Sequence, residues 1–213
     1  MSAQRTYIVS LLALVCIPAE AGEQQVEPAF VTNEDLREQF LIDIPEGWTT
    51  YDQSVVMTGK SQPTGLVLFT SVDLAGMEIM EQLETMSQLD TGEVPCFFVD
   101  RLPVKKKENC KEFSEKAAKE VVKMIKKDKM FKDSKTLLKP QAEAVTVAGC
   151  QGVRVVGETE KKEDGRIWRV EMRAVSDGEF LYLFTVRHLS EHFDASAEVF
   201  EKAMGTLQLA GVK

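Results

Sequence analysis

Apolar and polar residues alternate most clearly in the last third of the chain. Strand patterns run over 153–160, 166–175 and 179–187, separated by the hairpin-type pairs Asp164-Gly165 and Asp177-Gly178, so an antiparallel meander is expected. In its middle strand Trp168, Val170, Met172 and Ala174 point one way and Arg169, Glu171 and Arg173 the other. Phe180 to Val186 is apolar on both faces, which predicts a central strand covered twice. A helix is expected from Glu191 to Met204, with Ser190 as its N-cap and Phe193, Ala197, Phe200 and Met204 turned inward. Leu207 and Leu209 suit a last short strand.

The first half is less regular. Phe40, Ile42 and Ile44 alternate as in a strand that Pro45-Glu46-Gly47-Trp48 ends. A short strand is expected near Val55 to Thr58, and a doubly covered one over Gly65 to Val72. Met77, Met80, Leu83 and Met86 recur every three residues, predicting a helix within 74–89 whose methionine stripe joins the core. An apolar patch spans Glu93 to Leu102. A second helix near Lys111 to Lys129 is expected to bury Phe113, Ala117, Val121, Met124 and Ile125 and to turn its lysines outward.

The extreme N-terminus has a different logic. Arg5, the apolar run Tyr7 to Ile17, Pro18 and the small-x-small triplet Ala19-Glu20-Ala21 read as a secretory signal peptide cleaved before Gly22. The run is about half of the ~20 apolar residues a membrane span needs. Val15 before Cys16 argues against acylation at that cysteine. The expected organisation is a signal peptide at 1–21, a flexible leader at 22–37 and one domain at 38–210, exported to a periplasmic or external space. No transmembrane helix is left after cleavage.

Composition adds three constraints. The apolar fraction of 44% and charged fraction of 28% are those of a globular protein. The net charge of −8 argues against nucleic acid as a partner. That charge is unevenly spread: between Lys105 and Lys139 thirteen lysines face six acidic residues, while the rest of the mature chain is acidic. Such a dipole suits an anionic partner or an anionic surface, with Lys105, Lys106, Lys107, Lys119, Lys123 and Lys126 as candidate contacts. Export also exposes Cys96, Cys110 and Cys150 to oxidation, and three thiols cannot all pair within one chain. Cys96–Cys110, closing a short loop, is the expected bridge and Cys110–Cys150 the alternative.

These patterns describe an α/β (α+β) protein: an antiparallel β-sheet with helices on both faces, a three-layer sandwich. "FLIDIPEGW", "VAGCQGVRVVGE" entering the meander, and "FLYLFTVRH" followed by a helix and "GTLQL" resemble the Mog1/PsbP-like superfamily over about 40–71 and 144–209. Segment 73–143 has no counterpart in that resemblance and reads as an insertion. Members of the superfamily serve as binding or assembly modules, Mog1 for a small GTPase and PsbP for the photosynthetic oxygen-evolving complex. The resemblance therefore implies a non-catalytic role, and export argues against a nuclear GTPase. No residue-level contact motif carries over.

One motif points to chemistry instead. His188-Leu189-Ser190-Glu191-His192 matches H-x-x-E-H, in which two histidines would hold zinc and the glutamate would activate water. Against it, His188 ends a strand and only twenty-one residues follow His192 to supply a third ligand. Gly59-Lys60-Ser61 lacks the first glycine of a phosphate-binding loop, and no G-x-S-x-G elbow occurs. The expectation is a non-enzymatic exported binding or assembly module of the cell envelope that needs no cofactor and recognises a protein or small molecule. A zinc-dependent hydrolase and a peripheral binder of anionic membranes are the alternatives.

Overall fold

The computed structural model describes residues 29–33, 40–52, 65–74, 76–104, 113–128 and 130–210. In chain order the elements are β1 (Phe30–Asn33), β2 (Phe40–Pro45), β3 (Thr49–Asp52), β4 (Gly65–Thr70), α1 (Ile79–Thr91), β5 (Cys96–Pro103), α2 (Glu115–Lys127), β6 (Ser134–Val147), β7 (Cys150–Lys161), β8 (Ile167–Ser176), β9 (Phe180–Leu189), α3 (Ser190–Thr206) and β10 (Gln208–Leu209). Seven strands form one wholly antiparallel sheet in the order β3-β4-β5-β9-β8-β7-β6. A small second sheet, β1-β2-β10, brings the two ends of the domain together.

The strands alternate between two cores, which is why helices can cover both faces. Tyr182, Phe184 and Val186 of β9 and Phe97 and Val99 of β5 enter one core with Phe193 and Phe200 of α3 and Phe40 and Ile42 of β2. Leu183 of β9 and Val170, Met172 and Ala174 of β8 turn the other way, beneath Val121 and Ile125 of α2. On that same side α1 seats Leu89 against Leu68 and Cys96. The sandwich expected from the sequence, α1 and α2 over the sheet and α3 with the small sheet beneath it, is the architecture found.

The meander follows its turns. Gly165 (φ 71°) and Gly178 (φ 100°) hold the left-handed backbone that the two Asp-Gly pairs predict. Asp177 braces its turn by accepting from the amides of Glu179 and Phe180 at 2.8 and 2.7 Å. As expected, β9 is central, between β5 and β8. Helix α2 starts on Ser114, whose Oγ accepts from the Ala117 amide at 3.1 Å, and ends on Lys126 and Lys127, where cations suit the helix dipole.

Several expectations are corrected. Phe30–Asn33, placed in a flexible leader by its polarity, pairs with β2. Met80 and Leu83 are 76% and 61% exposed, so this part of the expected stripe faces outward, while Met77, just before α1, packs against the core that Thr85 and Leu89 face. Met124 of α2 is exposed as well. The N-cap of α3 is Leu189, one residue before Ser190. The fourteen-residue β6 was not foreseen; it is an edge strand, mostly exposed, with register shifts on either side of Leu138. The expected strand at Val55 to Thr58, the signal peptide and Gly59-Lys60-Ser61 lie outside the described residues.

Candidate ligand-binding cleft

On the α1/α2 face the antiparallel register sets a row of side chains across four strands: Leu68 opposite Phe98, Phe98 opposite Thr185, and Thr185 opposite Met172. Asp100 stands two residues beyond Phe98 on β5, and Arg187 two residues beyond Thr185 on β9. Helix α1 covers the Leu68 end of this row and α2 the Met172 end, leaving Phe98 and Thr185 between them. The row is the floor of a cavity of about 360 Å³ whose walls include Met86, Leu89 and Asp90 of α1 and Asp128 at the end of α2. A second chamber of about 480 Å³, lined by Lys127, Met130, Lys161 and Trp168, shares Asp90, Asp128 and Arg187 with the first. Together they form one cleft.

Arg187 organises the polar part. Its Nη1 donates to Asp128 Oδ2 at 2.9 Å and its Nη2 to Asp90 Oδ1 at 2.8 Å. One guanidinium from the sheet thus ties the C-terminal ends of both helices across the cleft. Burial works against the charge of Arg187, but Asp128 and Asp90 raise its pKa above the ordinary value. Asp100 is treated differently. Among the described residues its carboxylate makes no hydrogen bond or ion pair, and burial pushes its pKa up despite the opposing pull of Arg187. The Thr185 hydroxyl, on the same floor, also has no partner. The cleft therefore has apolar walls, a satisfied arginine and two polar groups without a partner in the protein, of which the Thr185 hydroxyl is buried in the floor.

The residues singled out from the sequence lie elsewhere. His188 is fully buried: its Nε2 donates to the Cys96 carbonyl at 3.1 Å and lies 3.8 Å from the Cys96 sulfur. Burial lowers its pKa, which favours neutral imidazole. His192 sits on the surface of α3 with its Nε2 3.6 Å from Glu191 Oε1. The structure does not bring His188, Glu191 and His192 into a common ligand set, and no group of three metal-ligating side chains occurs among the described residues. Lys119, Lys123 and Lys126 are on the outer face of α2 as expected, but Lys119 pairs with Glu115 at 2.7 Å and Lys123 with Glu120 at 3.4 Å. Lys105, Lys106 and Lys107 lie outside the described residues.

The cysteine expectation is also corrected. Cys96 is a free, buried thiol at the start of β5, hemmed in by Leu89 and His188, so the Cys96–Cys110 bridge is not formed. Cys150, also buried, is disulfide-bonded, and its partner lies outside the described residues.

Asp100 and Arg187 were within reach of sequence reasoning. In "CFFVDRLP" a lone aspartate falls on the side of the strand occupied by Phe98, and in "FLYLFTVRH" an arginine falls in a strand expected to be covered on both faces. A charge in such a position must be paired or line a cavity.

No family of known proteins matches the sequence, and no curated protein matches it. Among the described residues no helix is long and apolar enough to cross a membrane. Several solved structures are similar in fold. A cyanobacterial PsbP from Synechocystis shares 15% identity at a TM-score of 0.48, covering 90% of this chain and 98% of that one. LpqN, involved in cell envelope biogenesis of Mycobacterium tuberculosis, shares 12% identity at a TM-score of 0.48 over 85% of this chain and 90% of that one. A protein from Bacteroides thetaiotaomicron shares 11% identity at a TM-score of 0.45; the match covers 86% of this chain and 49% of that one, so this chain spans about half its length.

Proposed function

We propose that this chain is a non-catalytic exported module of the cell envelope and that it receives a small molecule, or a side chain of a partner protein, in the cleft between α1 and α2. The observation that carries this reading is the floor of the cleft. Leu68, Phe98 and Met172 form an apolar bed, beside which the carboxylate of Asp100 and the hydroxyl of Thr185 have no partner in the protein. Open polar groups on an apolar concave surface are the usual make-up of a ligand site, because the apolar area supplies affinity and the polar groups fix orientation. The lysine face of α2, carrying Lys119, Lys123 and Lys126 and continued in sequence by Lys105, Lys106 and Lys107, would act at longer range by steering an anionic partner or surface towards the same side.

The test is a fragment screen by methyl NMR on protein labelled at leucine and methionine. Binding that shifts Met86, Leu89 and Met172 together supports the cleft. Shifts confined to other methyls, or none with any fragment, would remove it. Reversing Lys119, Lys123 and Lys126 to Glu is expected to slow association with the partner and to flatten its salt dependence; an unchanged salt response would exclude the steering role.

A further inference from the structure

We infer that the cleft takes an organic cation, a primary or secondary amine on an apolar body, with its ammonium against Asp100 and Thr185 and its hydrocarbon along Leu68, Phe98 and Met172. The inference rests on the cleft being the ligand site and adds the chemistry of the occupant. The charges decide its sign. Of the three aspartates on the inner cavity, Asp90 and Asp128 are each held by a nitrogen of Arg187, at 2.8 and 2.9 Å. Asp100 makes no such bond, so it carries the charge left open in the inner cavity. An anionic ligand would have to displace Asp90 or Asp128 from Arg187 and would meet Asp100 within the same cavity. A cation meets an open carboxylate, and the threonine hydroxyl beside it can accept a second N–H.

The walls decide the rest. A bare metal ion needs about six oxygen ligands, and here Leu68, Leu89, Phe98 and Met172 surround the two open polar groups. An ammonium needs two or three acceptors, and its carbon body finds apolar contact on the same walls. The volume, about 360 Å³, suits a small molecule rather than a helix or strand of a partner. An unpaired carboxylate against Phe98 and Leu68 costs the empty protein stability, the kind of cost that binding sites retain.

The experiment is calorimetric titration of the purified protein with three six-carbon probes that differ only at the head: n-hexylammonium, 1-hexanol and hexanoate. The amine is expected to bind about tenfold tighter than the alcohol or better, as a charge-assisted hydrogen bond allows, with hexanoate weakest. Asp100→Asn keeps the shape of the site; it should bring amine and alcohol within about threefold of each other while circular dichroism shows an intact fold. Thr185→Val, a separate variant, should weaken the amine and leave the alcohol unchanged. Equal binding of amine and alcohol by the unaltered protein would overturn the cation inference and leave the cleft as an apolar site. No binding of any probe, together with a silent fragment screen, would overturn the cleft itself.

Discussion

The guanidinium of Arg187 donates Nη1 to Asp128 Oδ2 at 2.9 Å, joining the centre of the seven-stranded sheet to the C-terminal cap of α2. Its other terminal nitrogen reaches Asp90 near the end of α1, so one side chain spans the mouth of the cleft. Arg187→Met is expected to cost about 1–3 kcal/mol, because it leaves two carboxylates facing each other without a cation. Asp90→Asn, at a position 57% exposed, should cost about 1 kcal/mol or less. Urea midpoints measure both. An unchanged midpoint in Arg187→Met would mean that water satisfies the two aspartates equally well.

Asp100 gives the protein a pH signature. Burial holds its carboxyl above the ordinary range, so the folded chain binds this proton more tightly than the unfolded chain does. That contribution is complete below the pKa of the unfolded carboxyl and is lost as pH rises through the folded value. Asp100→Asn should therefore melt higher than the unaltered protein at pH 7, with the gap closing towards about pH 3. A gap that widens on acidification would contradict the assignment.

Glu171 has the opposite sign. Burial alone would raise its pKa, but Arg154, at 2.8 and 2.7 Å, and Arg173, at 3.1 and 3.0 Å, lower it overall. The stability it supplies is present above the unfolded carboxyl's pKa and is lost as pH falls through the folded one. Glu171→Gln should cost about 2–3 kcal/mol near neutrality, since it leaves two guanidinium groups short of their partner. The difference from the unaltered protein should shrink in acid. Equal loss at every pH would point to packing rather than charge.

Gly92 ends α1 with φ of 87°, and a Cβ there would lie 2.4 Å from His188 Cγ. Gly92→Ala is expected to cost about 2 kcal/mol or more, from the left-handed backbone and from the collision with a buried ring. The His188 Cβ would itself lie 2.5 Å away, so His188→Gly rather than His188→Ala should recover the part due to collision, which a double-mutant cycle would show as coupling. Because His188 is committed to this contact and to the Cys96 carbonyl, a chelator should leave the melting temperature unchanged. A chelator-induced drop would return His188 and His192 to the role of metal ligands.

Thiol labelling separates the cysteines. Burial pushes the Cys96 thiol up to about 12, and the side chain is fully covered. Iodoacetamide should miss Cys96 in the native protein and modify it in denaturant without reductant, while the Cys150 peptide is modified only after reduction. Native labelling of Cys96 would show that the end of α1 opens readily.

Legibility from sequence followed covering. Strands β7 to β9 and helix α3 were readable because each has a clear inner and outer side and the turns between the strands carry Asp-Gly. β6 was not, because an edge strand largely open to water has little apolar alternation, and Lys135, Lys139 and Pro140 broke what there was. In α1 the three-residue spacing marked one side of a helix but could not say that Met80 and Leu83 face water and Met86 the cleft, with Thr85 and Leu89 inward. The cleft was the least legible part. Its lining comes from β4, α1, β5, β8, β9 and the end of α2, and only strand register brings Leu68, Phe98, Thr185 and Met172 into line.

The pairing of β10 with β2 sets an order on synthesis. Phe40 lies opposite Leu209, and the Asp43 amide donates to Thr206 Oγ1 at 2.9 Å, so the core beneath α3 is closed only once the segment from Thr206 to Leu209 has been made. Until it emerges, Phe40 and Ile42 lack their C-terminal neighbour and the nascent chain cannot complete its native domain. Removing Leu207 to Leu209 would consequently leave the protein in the state of a nascent chain in which β2 still waits for β10.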